Sequence, residues 1–320
     1  MSRPLLITTA VIVLAAVPPV RAVVFYDSVA GSHNTTAPGG AYADSGWQYQ
    51  GYFGGFLGTA IGSQYFITAQ HIGVAGTFVQ DALFTGQPTA SYTVDTTYNS
   101  GAGFYDVPGS DLRIFKITGT FPEWAPLYTG SAEAGKELVV TGRGGPRGAD
   151  VTLGPDLKGW LTGASDGTAR WGRNEVGGVV NGGSSIGDLL YADFDALPGQ
   201  DEAHLSVGDS GGAVFINDGG TWKLAGINYA VDGAWDLDSD HSGGVFNAAL
   251  FDAGGLWVGG GSSWQFVTDT PADVPSSFYA SRISAHTSQI LAAIPEPSVP
   301  ALAALALAVG CRRRRGGIAG

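Results

Sequence analysis

Cysteine is almost absent from this chain of 320 residues, which contains only Cys311. A chain with one thiol cannot form an internal disulfide, so its fold must be held by an apolar core. Charged side chains are also scarce, at 14% of the residues, whereas glycine occurs 51 times. This composition favours strands and turns over long helices, and the length allows one large all-β domain or two smaller ones.

Long hydrophobic runs are confined to the two ends of the chain. Residues 1–22 contain Arg3, an apolar run over Leu5–Val17 and the segment Val20-Arg21-Ala22, which is typical of an export signal cleaved before Val23. The run is shorter than a membrane-spanning anchor requires. We therefore predict a signal peptide at 1–22 that a signal peptidase removes.

Basic side chains are few, since 16 lysines and arginines stand against 28 acidic residues and give a net charge of −12. Six of those basic residues and one acidic residue lie in the terminal segments 1–22 and 295–320, so the body between them carries about −17. A body this acidic repels nucleic acid and is soluble outside the cell. The composition thus excludes a nucleic-acid partner.

The C-terminal segment 295–320 contains Pro295-Glu296-Pro297, then an apolar stretch over Val299–Cys311, then four arginines at Arg312–Arg315. This order resembles the PEP-CTERM sorting tail of Gram-negative bacteria, which exosortases process. The resemblance implies transient membrane association through the tail, with the arginines on the cytoplasmic side, followed by release to the cell surface or extracellular matrix. An ordinary tail anchor is the alternative, although the apolar segment is short for a stable span.

A serine lies in a turn of small residues within Val207-Gly208-Asp209-Ser210-Gly211-Gly212, directly before the apolar run 213–215. Such a turn lets backbone N–H groups converge beside the hydroxyl, which suits a nucleophile next to an oxyanion hole. A plain glycine-rich hairpin is the alternative for a bare Gly-x-Ser-x-Gly pattern. The longer stretch resembles the nucleophile loop of chymotrypsin/trypsin-like serine proteases, in which Gly-Asp-Ser-Gly-Gly carries the attacking serine.

A candidate general base follows two apolar segments of β-forming residues. Residues 54–62 and 64–69 are bounded by glycine, which predicts two paired strands that end at Ala69-Gln70-His71. In the protease family a strand of this kind closes in Thr/Ser-Ala-Ala-His and delivers the general base, so Gln70 is a departure. Taken alone, His71 would be a capped loop histidine.

A candidate orienting acid opens the next strand. Residues 112–117 alternate apolar with polar side chains, which predicts a half-buried strand that begins after Asp111. The run resembles the family's Asp-Ile-Ala-Leu-Leu-Lys-Leu strand, whose first aspartate orients the histidine. Asp106, five residues earlier and close to Pro108, is the rival, with a turn aspartate as its plain interpretation.

The resemblance implies a catalytic triad of His71, Asp111 and Ser210, in the chain order found in this family. His71 would take the proton from Ser210, and Asp111 would hold the imidazole and stabilise its positive charge. The N–H groups of Gly208 and Ser210 would receive the oxyanion. This chemistry requires no cofactor.

Asp209 is expected to give structural support to the nucleophile loop. In many relatives the aspartate at this position pairs with a freed amino terminus. Cleavage before Val23 would supply such a terminus here, and the alternative is that Asp209 caps its own turn.

Substrate specificity is predicted only loosely. The family's pocket-floor residue lies six positions before the serine, which falls on His204, and a surface histidine beside Glu202 is an equal alternative. A histidine there would favour acidic or polar P1 groups and not cleavage after Lys or Arg. The strand that returns along the pocket carries Asn228-Tyr229-Ala230 where the family has Ser-Trp-Gly, which predicts an altered cleft.

Acidic clusters offer two candidate cation sites. Asp188, Asp193 and Asp195 are scattered over one predicted strand, and solvated carboxylates are their plain interpretation. Asp236-x-Asp238-x-Asp240 spaces oxygen ligands as a calcium loop does, but His241 stands at the sixth position and Asn247 at the twelfth, where an EF-hand needs glycine and glutamate. We therefore expect no metal.

Taken together, the resemblance spans residues 24–294 and predicts an all-β fold of two packed antiparallel β-barrels with a short C-terminal helix. The protease domain would cover 23–294, with barrels over about 24–120 and 136–280. Arg143 stands where relatives usually carry an aromatic residue. The predicted function is an exported serine endopeptidase acting on a peptide or protein. The alternatives are a weakly active or inactive surface or matrix binding protein on the protease fold and an esterase.

Overall fold

A computed structural model of the chain describes residues 23–29, 32–195 and 201–294. The predicted signal peptide and the predicted sorting tail lie outside these ranges. Within the ranges, no helix has the length and apolar character needed to span a membrane.

The described residues of the first half of the chain form eight strands. Their bounds are β1 Val24–Phe25, β2 Gln50–Phe53, β3 Phe56–Gly62, β4 Tyr65–Ala69, β5 Thr77–Gln80, β6 Ala90–Thr93, β7 Phe104–Asp106 and β8 Leu112–Lys116. Strands β2 to β8 form one antiparallel sheet in the order β6-β5-β2-β3-β4-β8-β7. The sheet closes into a barrel because Val94, just after β6, pairs with Ile117, just after β8.

Phenylalanine fills the inside of this first barrel. Phe53, Phe66, Phe78 and Phe115 are fully or almost fully buried there, and their rings contact one another at centroid distances of 4.5–5.1 Å. Successive side chains of a strand face opposite sides, so Ile67, next to Phe66, faces outward toward the second half of the chain.

The second half contains fourteen strands among the described residues. Their bounds are β9 Glu137–Gly142, β10 Arg147–Leu153, β11 Asp156–Thr162, β12 Arg170–Glu175, β13 Gly178–Asn181, β14 Asp188–Asp193, β15 Ala203–His204, β16 Ala213–Asp218, β17 Thr221–Val231, β18 Trp235–Asp236, β19 Ala248–Leu250, β20 Trp257–Gly260, β21 Ser263–Phe266 and β22 Ser277–Arg282. A second antiparallel sheet has the order β12-β9-β16-β17-β22-β14-β13. Its ends meet because β12 leads into β13, and the N–H of Gly177 between them donates to Tyr191 O at 2.9 Å.

The two barrels pack face to face around a shared apolar cluster. Ile67, Leu112 and Ile114 contribute from the first barrel, and Val139 and Phe215 contribute from the second. These side chains are fully or almost fully buried. The predicted fold class is therefore confirmed, with two packed antiparallel barrels and a short C-terminal helix.

Helices are short. They are α1 Ala82–Thr85, α2 Tyr98–Gly101 and α3 Thr287–Ala293, with 3-10 turns at Gly40–Tyr42, Trp47–Tyr49 and Ser284–His286. The C-terminal segment contains Ile283, His286, Ile290 and Leu291 at helical spacing. The first three are buried, whereas Leu291 is 49% exposed because α3 presents it to solvent.

Three small sheets are added to the barrels, namely β10-β11-β19, β18-β20-β21 and β1-β15. Strand β1 belongs to the first half by sequence, yet Val24 pairs with His204 and Phe25 pairs with Ala203. The start of the described chain is thereby attached to the segment that leads into the predicted nucleophile loop.

Glu202, just before β15, is buried at 3% exposure, and its Oε1 has no hydrogen-bond partner among the described residues. Burial, reinforced by the negative charge of Asp195, raises the pKa of Glu202 to about 9. The folded chain therefore holds a proton that the unfolded chain releases near pH 4.5. Stability from this group is complete below that pH and is lost as the pH rises toward 9.

We expect Glu202→Gln to remove this dependence, because glutamine keeps the shape and cannot ionise. Thermal unfolding of the wild type and the variant would be compared between pH 5 and pH 9. The wild type should lose stability as the pH rises, whereas the variant should not lose this contribution. The Tm of the variant minus the Tm of the wild type should therefore increase with pH over that interval. A difference in Tm that stays constant across the interval would contradict the buried, protonated state.

Candidate active site

Strand pairing brings His71 and Asp111 together. Ala69, at the end of β4, pairs with Leu112, at the start of β8, so the residues just beyond both ends are neighbours. The N–H of Gln70 donates to Asp111 O at 2.7 Å, and the N–H of His71 donates to Asp111 Oδ1 at 2.9 Å. The histidine backbone is thus fixed to the aspartate before their side chains interact.

The side chains of His71, Asp111 and Ser210 form one hydrogen-bonded chain. His71 Nδ1 lies 2.6 Å from Asp111 Oδ2, and His71 Nε2 lies 2.8 Å from Ser210 Oγ. Asp111 is buried, whereas 39% of the His71 side chain is exposed. A buried acid, a reachable imidazole and a hydroxyl in this order allow a proton to leave the serine as its oxygen attacks.

The rival acid Asp106 has a different partner. Its two carboxylate oxygens accept from Arg113 Nε at 2.5 Å and from Arg113 Nη2 at 3.0 Å. Asp106 and Arg113 lie opposite each other in the β7–β8 pairing. A carboxylate in a bidentate pair with arginine is not the one that His71 contacts.

Ser210 lies in a tight turn between β15 and β16. The N–H of Asp209 donates to Ser206 O at 3.1 Å, and the N–H of Gly212 donates to Asp209 O at 3.1 Å. Gly211 has φ +78°, and a Cβ there would lie 2.6 Å from Leu57 O of the first barrel, so only glycine allows this close approach. Within the described ranges, the amides of Gly208 and Ser210 donate to no protein acceptor. Both therefore remain available to an oxyanion.

The Asp209 carboxyl accepts hydrogen bonds from residues of the second barrel. Its Oδ1 accepts from Gly144 N at 2.6 Å, and its Oδ2 accepts from Ser206 N at 2.7 Å and Ser206 Oγ at 3.0 Å. The carboxyl is 1% exposed, and burial raises its pKa to about 6 despite these donors. A freed amino terminus at Val23 and the turn of Asp209 itself were the two alternatives for this carboxyl, and the Ser206 donors belong to that turn. The carboxylate oxygens are occupied by donors of the second barrel.

We expect Asp209→Asn to lower kcat by about 10²-fold or more, because losing one oxyanion donor already has an effect of that order. The amide NH₂ of asparagine would face an N–H donor at Gly144 or Ser206 and displace the turn. KM should change far less than kcat. Asp81→Asn is the matched control, since Asp81 also accepts from a backbone N–H, that of Leu83, and from a hydroxyl, that of Thr89. Equal losses in the two variants would contradict this role.

Asn228 and Tyr229 follow the part of β17 that pairs with β16. Asn228 is buried, and its Nδ2 donates to Thr141 O at 2.7 Å and to Asp209 O at 3.0 Å, so it braces the serine turn. The pairing of β17 with β22 shifts register at Tyr229. This bulge accompanies an edge contact between the Tyr229 ring and the His71 ring, whose centroids are 5.7 Å apart.

A cavity of about 150 Å³ opens beside Ser210, lined by residues 205–210 and 228–231. His204 is not among its lining residues, which corrects the expectation that it forms the pocket floor. Its ring is fully buried against Phe194 and Phe278, and its Nδ1 lies 2.6 Å from Leu205 O. Counting six residues back from Ser210 fails here because His204 lies in β15, paired with β1.

Several carboxylates of the acidic clusters already contact protein donors. Asp188 contacts Arg282, and Asp193 accepts from Ser277 Oγ. Asp238 accepts from the amides of Ser242 and Gly243. The part of the chain that the structure describes contains no group of three or more acidic, histidine or cysteine side chains arranged to hold a metal ion.

Two residues that hold Asp209 were not singled out from the sequence, namely Gly144 and Ser206. The glycine-rich end of β9 was their only signal. A Cβ on Gly142 would overlap Asp209 Oδ1, and one on Gly144 would lie 2.5 Å from Ser206 Oγ. Side chains are excluded from this segment because the aspartate packs directly against its backbone.

Comparisons with known proteins identify similar folds at low similarity. No protein-family model matches the chain, and no curated protein sequence does. One similar structure is the passenger domain of plasmid-encoded toxin, an autotransporter enterotoxin of enteroaggregative Escherichia coli, at 14% identity and a TM-score of 0.42. That match covers 79% of this chain and 22% of the toxin chain, so the chain spans about a fifth of that structure's length. Another is neuropsin, a serine protease expressed in the limbic system of mouse brain, at 15% identity and a TM-score of 0.40, covering 77% of this chain and 94% of that one.

Proposed function

We propose that the chain is an exported serine endopeptidase that hydrolyses peptide bonds through an acyl-enzyme on Ser210. The observation that carries the proposal is the hydrogen-bonded chain from Asp111 through His71 to Ser210 Oγ. Ser210 Oγ attacks the peptide carbonyl while its proton moves to His71 Nε2. His71 then gives that proton to the leaving amine, and water repeats the sequence to release the acid.

Two features of the turn support stabilisation of the intermediate. The amides of Gly208 and Ser210 have no protein acceptor among the described residues, so both can donate to the oxyanion. Their peptide units flank Asp209, whose carboxyl is anchored by three donors. Donors that are fixed before the reaction need no reorganisation when charge develops on the oxygen.

The strand that ends at Val231 supports binding of an extended peptide. Ala230 pairs with Tyr279 and Val231 pairs with Phe278 of β22 on one side. Strand β16 begins at Ala213, which pairs with Ile227, so the other edge of β17 beyond Asn228 has no strand partner among the described residues. A substrate backbone can add to that edge.

The cavity beside Ser210 supports an apolar P1 side chain. Its volume of about 150 Å³ equals that of cavities that hold a benzene-sized group. Asp209 is the only acidic residue in the lining, and its oxygens already accept donors. A leucine or phenylalanine side chain is therefore proposed at P1, in place of the acidic or polar group that His204 suggested.

Export and sorting belong to the same proposal. Residues 1–22 would be removed by a signal peptidase, and residues 295–320 would be processed by an exosortase-like enzyme after transient membrane association. The mature domain would act at the surface or in the extracellular matrix of a Gram-negative bacterium. Its acidic body is compatible with solubility there.

A fluorophosphonate probe tests the proposal, since it reacts with an activated serine. Purified folded protein should be labelled, and peptide mass spectrometry should locate the adduct on Ser210. Heat-unfolded protein is the control and should remain unlabelled. Folded protein without labelling would favour the alternative, a catalytically inactive binding protein on the protease fold.

A peptide library with varied P1 residues separates the remaining choices. Cleavage after leucine or phenylalanine supports the proposed endopeptidase, and cleavage after lysine or arginine would contradict the proposed pocket. Labelling of Ser210 together with hydrolysis of esters alone would point to an esterase on the same scaffold.

A further inference from the structure

Arg143 joins the two barrels beside the nucleophile turn. Its Nη1 donates to Gly54 O at 3.0 Å, and its guanidinium carbon lies 4.3 Å from the centroid of the Tyr52 ring. Gly54 and Tyr52 belong to the β2–β3 hairpin of the first barrel. Its Nε donates to Gly167 O at 2.6 Å in the second barrel. One side chain thus spans the boundary between the barrels.

The backbone on either side of Arg143 contacts Asp209. Gly144 N donates to Asp209 Oδ1, and Gly142 packs so closely that a Cβ would overlap the same oxygen. The carbonyl of Arg143 accepts from Ser165 Oγ at 2.9 Å, which ties the segment to the loop that contains Gly167. The position of the 142–144 segment therefore sets the position of Asp209, and Asp209 sets the turn that carries Ser210.

Gly54, which accepts the hydrogen bond from Arg143, lies close to the loop that carries His71. A Cβ on Gly54 would lie 2.5 Å from Val74 Cγ1, so the tip of the hairpin packs against Val74. Val74 is three residues after His71. Arg143 consequently links the loop of the imidazole in one barrel to the turn of the hydroxyl in the other.

We infer that Arg143 is a positioning residue that fixes the Ser210 turn of the second barrel against the His71 loop of the first. The inference rests on the proposed function and adds a residue to it. Arg143 acts through Gly144 and Asp209 on one side and through Gly54 on the other. Its planar fork suits this role, because two carbonyls and a tyrosine ring are engaged at once.

Kinetics of Arg143→Met and Arg143→Lys test the inference. Arg143→Met should lower kcat by about tenfold or more, with KM changed less than about threefold. Misalignment of Ser210 and His71 weakens stabilisation of the transition state more than it weakens binding of the substrate. Arg143→Lys should be intermediate, since an ammonium can contact one carbonyl but cannot reproduce the fork. Inhibition by a peptidyl boronic acid, which mimics the tetrahedral intermediate, should weaken in proportion to kcat/KM.

Arg173→Met is the matched control. Arg173 also lies over a tyrosine, with its guanidinium carbon 4.4 Å from the Tyr42 ring centroid, and it is hydrogen-bonded to Glu137. Among the described residues, its side-chain hydrogen bonds and its ring contact do not involve residues 205–210. This variant should leave kcat and boronate inhibition unchanged. Equal kinetics for wild type and Arg143→Met, or equal losses in Arg143→Met and Arg173→Met, would overturn the positioning role.

Amide hydrogen exchange separates this inference from the proposed function. Exchange in peptides that cover 206–212 should be faster in Arg143→Met than in the wild type, and it should stay unchanged in β14 and in Arg173→Met. Unchanged exchange over 206–212 would overturn the role of Arg143 even in an active enzyme. A wild type that fails to hydrolyse peptides would overturn the proposed function, and the exchange data would still decide whether Arg143 holds the turn.

Discussion

Replacing Ser210 by alanine is expected to lower kcat by about 10⁶-fold, the loss observed when the nucleophile of a working triad is removed. The proposed reaction has no other route to an acyl-enzyme, because the bond to the substrate carbonyl forms at Ser210 Oγ. His71→Ala should cause a loss of the same order, since Oγ at 2.8 Å from the imidazole would then keep its proton. The measurement is hydrolysis of a peptide with leucine or phenylalanine at P1.

The double variant distinguishes a triad from two independent contributions. If Ser210 and His71 act as one unit, Ser210→Ala combined with His71→Ala should be no slower than either single variant. Independent residues would instead give losses that multiply. Ser91→Ala, at an exposed position of β6, controls for the effects of preparing a serine-to-alanine variant and should retain full activity. Residual hydrolysis in Ser210→Ala near the wild-type rate would show that another residue carries the reaction.

Individual strands of the barrels could be predicted from local sequence patterns, whereas their arrangement as two barrels was implied by the family resemblance. In β4 and β8, successive apolar side chains alternate between the barrel interior and the face toward the other barrel. The sequence alternation therefore indicates which side chains lie on each face of the strand. Strand β1 could not be predicted in this way. It has two residues, Val24 and Phe25, and a segment this short contains no alternation that would reveal its pairing with β15.

The candidate triad was predictable for a different reason. His71, Asp111 and Ser210 each lie beside a recognisable strand or turn, and the resemblance supplied the relation among them. The pocket register was not predictable, because the position of His204 depends on its pairing with β1 and on its packing against Phe194. Such contacts join residues that are distant in sequence, so no count from Ser210 could reveal them.

The support of Asp209 shows the same limit. The sequence offered two partners for its carboxyl, a freed amino terminus or its own turn. The structure adds the Gly144 amide, which reaches Asp209 because Val140 of β9 pairs with Val214 of β16. The glycines at 142 and 144 were visible, but their purpose depends on which strand lies beside β9.

Asp111→Asn is expected to lower kcat by about 10⁴-fold while the fold stays intact. Asparagine can keep the acceptor that Oδ1 offers to the His71 amide at 2.9 Å. Its NH₂ group would then face Nδ1, where Asp111 Oδ2 now lies at 2.6 Å. The imidazole would have to accept at Nδ1 and carry its proton on Nε2, and a protonated Nε2 cannot take the proton of Ser210.

The rival acid supplies the control for this prediction. Asp106→Asn removes a carboxylate from the same pair of neighbouring strands, but that carboxylate contacts Arg113 and not His71. It should therefore lower stability through the unpaired arginine and leave kcat within a few-fold of the wild type. Thermal unfolding of both variants separates the two effects, and kcat is compared at a temperature where both are folded. The enzyme needs one carboxylate to select the histidine tautomer, and the two variants remove different carboxylates. A large loss of kcat in Asp106→Asn with little loss in Asp111→Asn would therefore assign the orienting role to Asp106.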